Sequence, residues 1–173
     1  MKHRIIQILV VSLIVAAMLA VNQAPVMARP GTGTVTGSGS LSSQPVSGTI
    51  WADGAGNFHF RKLTYTGNVF LEGDVTIQGT QTLELTGYAD PTQSGPFTGR
   101  YTICDLEGTV LWTGVIEGYS LNAISVARVV AQGKGPYAGT QLKLSIFEDA
   151  PSGEIPDPQT FYIEGKILDR QTP

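Results

Sequence analysis

The chain has 173 residues, with 11 Lys+Arg, 14 Asp+Glu, 21 Gly, two His and one Cys. That length holds a single domain with a real core. One Cys excludes an internal disulfide, a single His beyond the N-terminal segment, His59, excludes a multi-His metal centre, and the acidic balance excludes the clustered basic face that phosphate backbones need. Neither a metal, nor another cofactor, nor nucleic acid is therefore an expected partner.

The chain opens on Lys2, His3 and Arg4, followed by an apolar run from Ile5 to Val21 and by Val26-Met27-Ala28. A basic start, an apolar stretch and small residues before a cut make a secretory signal. Pro25 would hinder processing after Ala24, so the expected cut follows Ala28 and leaves 145 residues. Without Lys2 and Arg4, nine basic groups face 14 acidic ones. The expected destination is secreted or extracytoplasmic, with no membrane attachment once residues 1–28 are gone. A retained anchor is the alternative, since an apolar run of about 17 residues stands at the short edge for a membrane span.

Residues 29–47 are rich in Gly, Ser and Thr, with only Val35, Leu41 and Val46 apolar. This composition reads as a flexible leader, or at most a weak edge strand, outside the core. The domain proper is then 48–173. From Thr49 onward, short runs are separated by Gly, Pro, Asp and Asn, which predicts strands joined by hairpins. Asp53-Gly54-Ala55-Gly56-Asn57 is the clearest turn. Val69, Leu71, Val75 and Ile77 alternate with polar residues, with Gly73 as a bend, and Leu83 and Leu85 alternate with Thr82, Glu84 and Thr86. Period two marks a sheet with one dry face. The expected fold is all-β, an antiparallel β-barrel of about eight strands, with a β-sandwich as the alternative. A barrel is preferred because closure removes the exposed edges of Val- and Thr-rich strands.

The C-terminal half can be taken to the level of strand pairing. A turn at Glu107-Gly108 sets Ile103 opposite Trp112 and Asp105 opposite Val110. Turns centred on Tyr119 and Pro136 then set Arg128 opposite Val110 and Leu144, and Val126 opposite Trp112 and Ile146. Opposed residues share a face. One face therefore collects Tyr101, Ile103, Val110, Trp112, Ile116, Ile124, Val126, Val130, Leu142, Leu144 and Ile146. Asp105 and Arg128 fall in that apolar face, in one row, roughly 10 Å apart. A lone charge there would cost several kcal/mol, so the two are expected either to neutralise each other at the barrel mouth or to contact a ligand. Tyr101, Asp105, Trp112 and Arg128 are thus the candidate lumen residues.

The segment Val129-Val130-Ala131-Gln132-Gly133-Lys134-Gly135-Pro136-Tyr137-Ala138-Gly139 resembles the signature turn of the allene oxide cyclase and dirigent-like barrels, in which a strand ends in Gly-x-Gly-x-aromatic-x-Gly. Gly95-Pro96-Phe97-Thr98-Gly99 is a fainter echo of the same turn. The resemblance covers about 20 residues well and the rest in outline. It implies an eight-stranded antiparallel barrel, secreted in dirigent proteins, often trimeric, with a lumen for an apolar small molecule. No catalytic residue carries over, because no active-site motif of those families matches position by position.

Other chemistry is sparse. His59, between Phe58 and Phe60, faces away from both and reads as a surface histidine near Arg61; no Gly-x-Ser-x-Gly elbow accompanies it. Cys104 reads as a small packed residue rather than a nucleophile. Glu72, Asp74 and Glu84 could seed a cation site, but a solvated acidic face is the simpler reading. Gly133-Lys134-Gly135 lacks the following helix of a phosphate loop and reads as a turn. The acidic, Pro-rich stretch from Glu148 to Gln159 cannot be a central strand and reads as a long loop, a lid or solvated surface, before a last strand at Phe161 to Leu168. The leading functional expectation is a secreted barrel that binds a small apolar molecule or steers its reaction. A cyclase or isomerase using a lumen acid, and a structural or surface domain without ligand, are the alternatives.

Overall fold

Alternating apolar residues give each strand one inward row, and that row closes on itself. The computed structural model describes residues 32–148 and 158–169. Nine strands follow in order: β1 (Gly33–Leu41), β2 (Ser47–Ala52), β3 (Phe58–Gly73), β4 (Ile77–Ala89), β5 (Gly95–Cys104), β6 (Val110–Leu121), β7 (Ile124–Gly133), β8 (Thr140–Glu148) and β9 (Gln159–Asp169). A single 3-10 turn at Gly135–Tyr137 links β7 to β8. All neighbours are antiparallel, and the sheet closes where β1 pairs with β9 on one edge and with β3 on the other. Eight strands make a closed antiparallel barrel, and β2 is an extra strand. Closure decides against the sandwich.

β3 positions both its neighbours along one edge. Its second half, Val69–Gly73, pairs with β1, and its first half, Phe58–Thr64, pairs with β2. The β2–β3 hairpin therefore rises beyond the β1 end of the barrel wall. Its turn forms at the expected residues: Asp53 Oδ1 accepts from the amides of Ala55 and Asn57, and Gly56 N donates to the Asp53 carbonyl. Gly73, the expected bend, has φ +150° and ends β3.

The stretch 29–47, expected as a flexible leader, instead supplies the closing strand. Val35 and Leu41 of β1 are buried in the core. The small residues serve close approach: a methyl group on Gly67 would run into the Ser40 carbonyl, and one on Gly39 into the Gln81 amide. Composition alone cannot separate a Gly/Ser-rich coil from a strand that must come this near its neighbour. The expectations for residues 1–31 and 149–157, including the signal segment and most of the Pro-rich loop, lie outside the described residues.

The C-terminal pairings are half as expected. β5 and β6 pair as read, with Ile103 opposite Trp112, although a register shift then sets Cys104, not Asp105, opposite Val110. The next turn is at Asn122-Ala123, not Tyr119, so Glu117 faces Arg128 and Ile116 faces Val129. β7 is thereby inverted: Val129 and Ala131 point inward, while Ile124, Val126, Arg128 and Val130 are exposed. The β7–β8 register differs from expectation by one residue, with Val126 opposite Phe147. The two odd displacements cancel, and Leu142, Leu144 and Ile146 are buried as expected.

Side chains fill one end of the barrel solidly. Val35, Leu71, Ile77, Ile103, Trp112, Leu142 and Ile167 are all within 1% of full burial there, and Tyr137 of the 3-10 turn lies against Trp112, with ring centroids 3.8 Å apart. The other end is open.

Candidate functional site

The inward rows of the open half enclose a cavity of about 510 Å³. Leu41 comes from β1, Phe58, Phe60, Leu63 and Tyr65 from β3, and Leu83 and Leu85 from β4. Phe97, Ile116, Ala127, Ile146 and Phe161 complete the wall from β5 to β9, and Ile50 of β2 extends it upward. A cavity of this size and lining is ordinary for a small-molecule site. Among the described residues, no Asp, Glu, Lys, Arg or His lines it.

Polar groups near the floor are mostly engaged with one another. Gln81 is buried, and its Nε2 donates to the carbonyls of Ser40 and Asn68 at 3.1 Å each, bridging β1 and β3. Its Oε1 accepts from the Tyr101 hydroxyl at 2.8 Å. Full burial pushes the Tyr101 hydroxyl well above its ordinary pKa, so it remains a donor. Near the mouth, the hydroxyls of Ser120 and Ser125 bond to each other at 2.8 Å, and Ser125 N donates to Glu148 Oε2. Tyr65 differs from these. Half-buried on the cavity wall, it bonds to none of the described residues, and burial raises its pKa.

The four sequence-derived lumen candidates separate. Tyr101 and Trp112 lie inside the barrel, but they form its packed base beneath the cavity rather than its wall. The Trp112 indole N–H is buried with no acceptor among the described residues. Asp105 sits in the β5–β6 turn at the closed end, where its Oδ1 accepts from the amides of Glu107 and Thr109 at 3.0 and 2.7 Å. Arg128 is exposed on the outer surface, opposite Glu117 and Ser145. The expected Asp105–Arg128 row does not form, because the turn at Asn122-Ala123 slides β7 by an odd number of residues.

The remaining candidates fall outside the cavity. His59 faces away from Phe58 and Phe60 as expected; its Nε2 is 3.0 Å from Asp53 Oδ2, and its ring stacks on Trp51. That contact, first among several hydrogen bonds, holds the Asp53 carboxyl below the usual carboxylate range. Cys104 is partly exposed and unpaired. Asp74 accepts from Thr34 N, while Glu84 stands opposite Thr64, eight residues up β3 from Glu72, so the three acids do not converge. Among the described residues no cluster of three or more ligating side chains could hold a metal ion.

Sequence reasoning passed over Tyr65 and Gln81, although a signal for both existed. Tyr65 has the parity of Leu63, Val69 and Leu71, and Gln81 that of Leu83 and Leu85. A polar residue on an apolar parity is the mark of a satisfied or functional group.

The fold and the cavity together define a one-ended antiparallel barrel with an apolar lumen. No protein-family model matches the chain, and no curated protein or solved structure does.

Proposed function

We propose that this is a secreted barrel that binds a small apolar molecule in its open-ended lumen. The observation that carries the reading is the cavity of about 510 Å³, walled mainly by aliphatic and aromatic side chains, with no charged one among the described lining residues. Burying apolar ligand surface there is worth about 25 cal/mol per Å², and the rigid strands preorganise the wall. The likeness of Val129–Gly139 to the allene oxide cyclase and dirigent-like turn supports the same reading. It adds association of three copies, for which Tyr119, Val126, Phe147 and Tyr162 offer an exposed cross-strand apolar row. Export rests on the N-terminal segment, with cleavage after Ala28. A cyclase or isomerase working with a lumen acid is the less favoured reading, since the described cavity wall holds no carboxylate.

The test is binding of N-phenyl-1-naphthylamine, a neutral apolar fluorophore. Saturable enhancement at one dye per chain is expected. Ala127→Trp, which pushes an indole into the lumen, should abolish it while leaving the far-ultraviolet β signal unchanged. A wild-type chain that leaves the dye's fluorescence unaltered would refute the proposal.

A further inference from the structure

Resting on the reading of the lumen as a small-molecule site, we infer that its ligand is uncharged and carries an oxygen acceptor, a carbonyl or ether, which takes a hydrogen bond from the Tyr65 hydroxyl. The inference starts from what the wall lacks. A carboxylate or ammonium moved into the cavity would lose its hydration and meet no opposite charge among the described lining residues. The desolvation cost of an unpaired ion is then uncompensated. Fatty acids, amines and phosphorylated compounds are disfavoured on this ground alone.

Polar complementarity narrows the class further. Gln81 has spent both amide protons on Ser40 and Asn68, and its carbonyl takes the Tyr101 proton. Ser120 and Ser125 bond to each other near the mouth, which uses one of their two hydroxyl protons and leaves the other far from the floor. Gln93, Gln159 and Tyr88, the last 44% exposed, stand at the mouth, within reach of bulk water. Tyr65 alone is deep in the wall and without a bond among the described residues. It occupies the row of Leu83 and Tyr101, immediately above the floor. Its raised pKa keeps it protonated at neutral pH, so it offers a donor. A buried donor facing an apolar ligand without an acceptor would be left unpaired, and sites of that kind discriminate strongly against such ligands.

Three naphthalenes of like size separate the possibilities by displacement of N-phenyl-1-naphthylamine: 2-acetylnaphthalene, 2-isopropylnaphthalene and 2-naphthoate. The ketone should bind the wild-type chain roughly five- to tenfold more tightly than the hydrocarbon, and the carboxylate at pH 7 should not compete. Tyr65→Phe should remove the ketone's advantage and leave the hydrocarbon's affinity unchanged. Because the hydroxyl bonds to none of the described residues, this variant should fold as the wild type does. Equal ketone and hydrocarbon affinities, unaltered in Tyr65→Phe, would overturn the role of Tyr65 while leaving the lumen as a binding site. Competition by naphthoate as strong as by the ketone would overturn the uncharged class. Failure of the dye and all three compounds to bind would overturn this inference together with the proposed function.

Discussion

Gln81 and Tyr101 show how a polar pair can stand in an apolar barrel. Each is almost fully buried, and each satisfies the other: the hydroxyl donates at 2.8 Å to an amide whose own protons reach across to β1 and β3. Removing one partner strands the other, which costs about 1–3 kcal/mol, more than the bond contributes net. Tyr101→Phe should therefore lower unfolding stability in urea by about that amount, although it changes one atom. In a double-mutant cycle with Gln81→Leu, the second substitution should cost less in the Phe background than alone, by the coupling of the two side chains, while the loss of the Ser40 and Asn68 bonds is common to both backgrounds. Additive losses would show that the two side chains do not interact. Tyr65 lies two strands from Tyr101, with Leu83 between them, and has no such partner among the described residues, so its own Phe variant should show no loss. The contrast between these two tyrosines is one of hydrogen-bond accounting rather than of burial.

At the level of the strand, the turn chemistry of β6–β7 decides which face of β7 is dry. Asn122 and Ala123 both have positive φ, +50° and +69°, as a two-residue hairpin loop with the twist of its strands requires. Ala in that conformation is unfavourable by about 1 kcal/mol. The surroundings offset this, since Asn122 N donates to Ser94 Oγ and Ala123 N to the Gln93 carbonyl in the β4–β5 loop. With the turn there, Val129 is buried and Val130 is 44% exposed. Val129→Asp should unfold the chain or cost several kcal/mol, because it buries an unpaired charge. Val130→Asp should alter stability by no more than about 0.5 kcal/mol. Thermal melts of the two variants check the register directly, and the opposite ranking would restore the inverted face.

At the level of the molecule, β1 is the strand on which closure depends. It is the first strand in sequence, yet it pairs with β9, the last, and with the second half of β3. A chain beginning at residue 48 would keep every other strand, apart from Ser47 at the start of β2, but would open the barrel, exposing the edges of β9 and β3 and the Val35 and Leu41 sites in the core. Long free edges are templates for association. Such a chain should run as aggregate on size exclusion, whereas one beginning at residue 29 should run as a defined species. A folded, soluble 48–173 fragment would show that β1 is dispensable.

What the sequence by itself determined was local in origin. Period-two alternation in Leu83 and Leu85, the Asp53–Asn57 turn and the Glu107-Gly108 turn sufficed for the all-β class, for the β5–β6 register and for the inward placement of Tyr101, Ile103 and Trp112, because each rests on chemistry within a few residues. The rest required contacts distant in the chain. Gly33–Leu41 is a strand only because β3 and β9 lie on either side of it. Ala123 adopts positive φ only because the β4–β5 loop receives its amide, and that turn moved Arg128 from lumen to surface. The cavity likewise has no local sign: Tyr101 and Trp112 are inward like Tyr65 and Phe97, and depth along the barrel, set by the stagger of eight strands, makes the first pair its base and the second part of its wall.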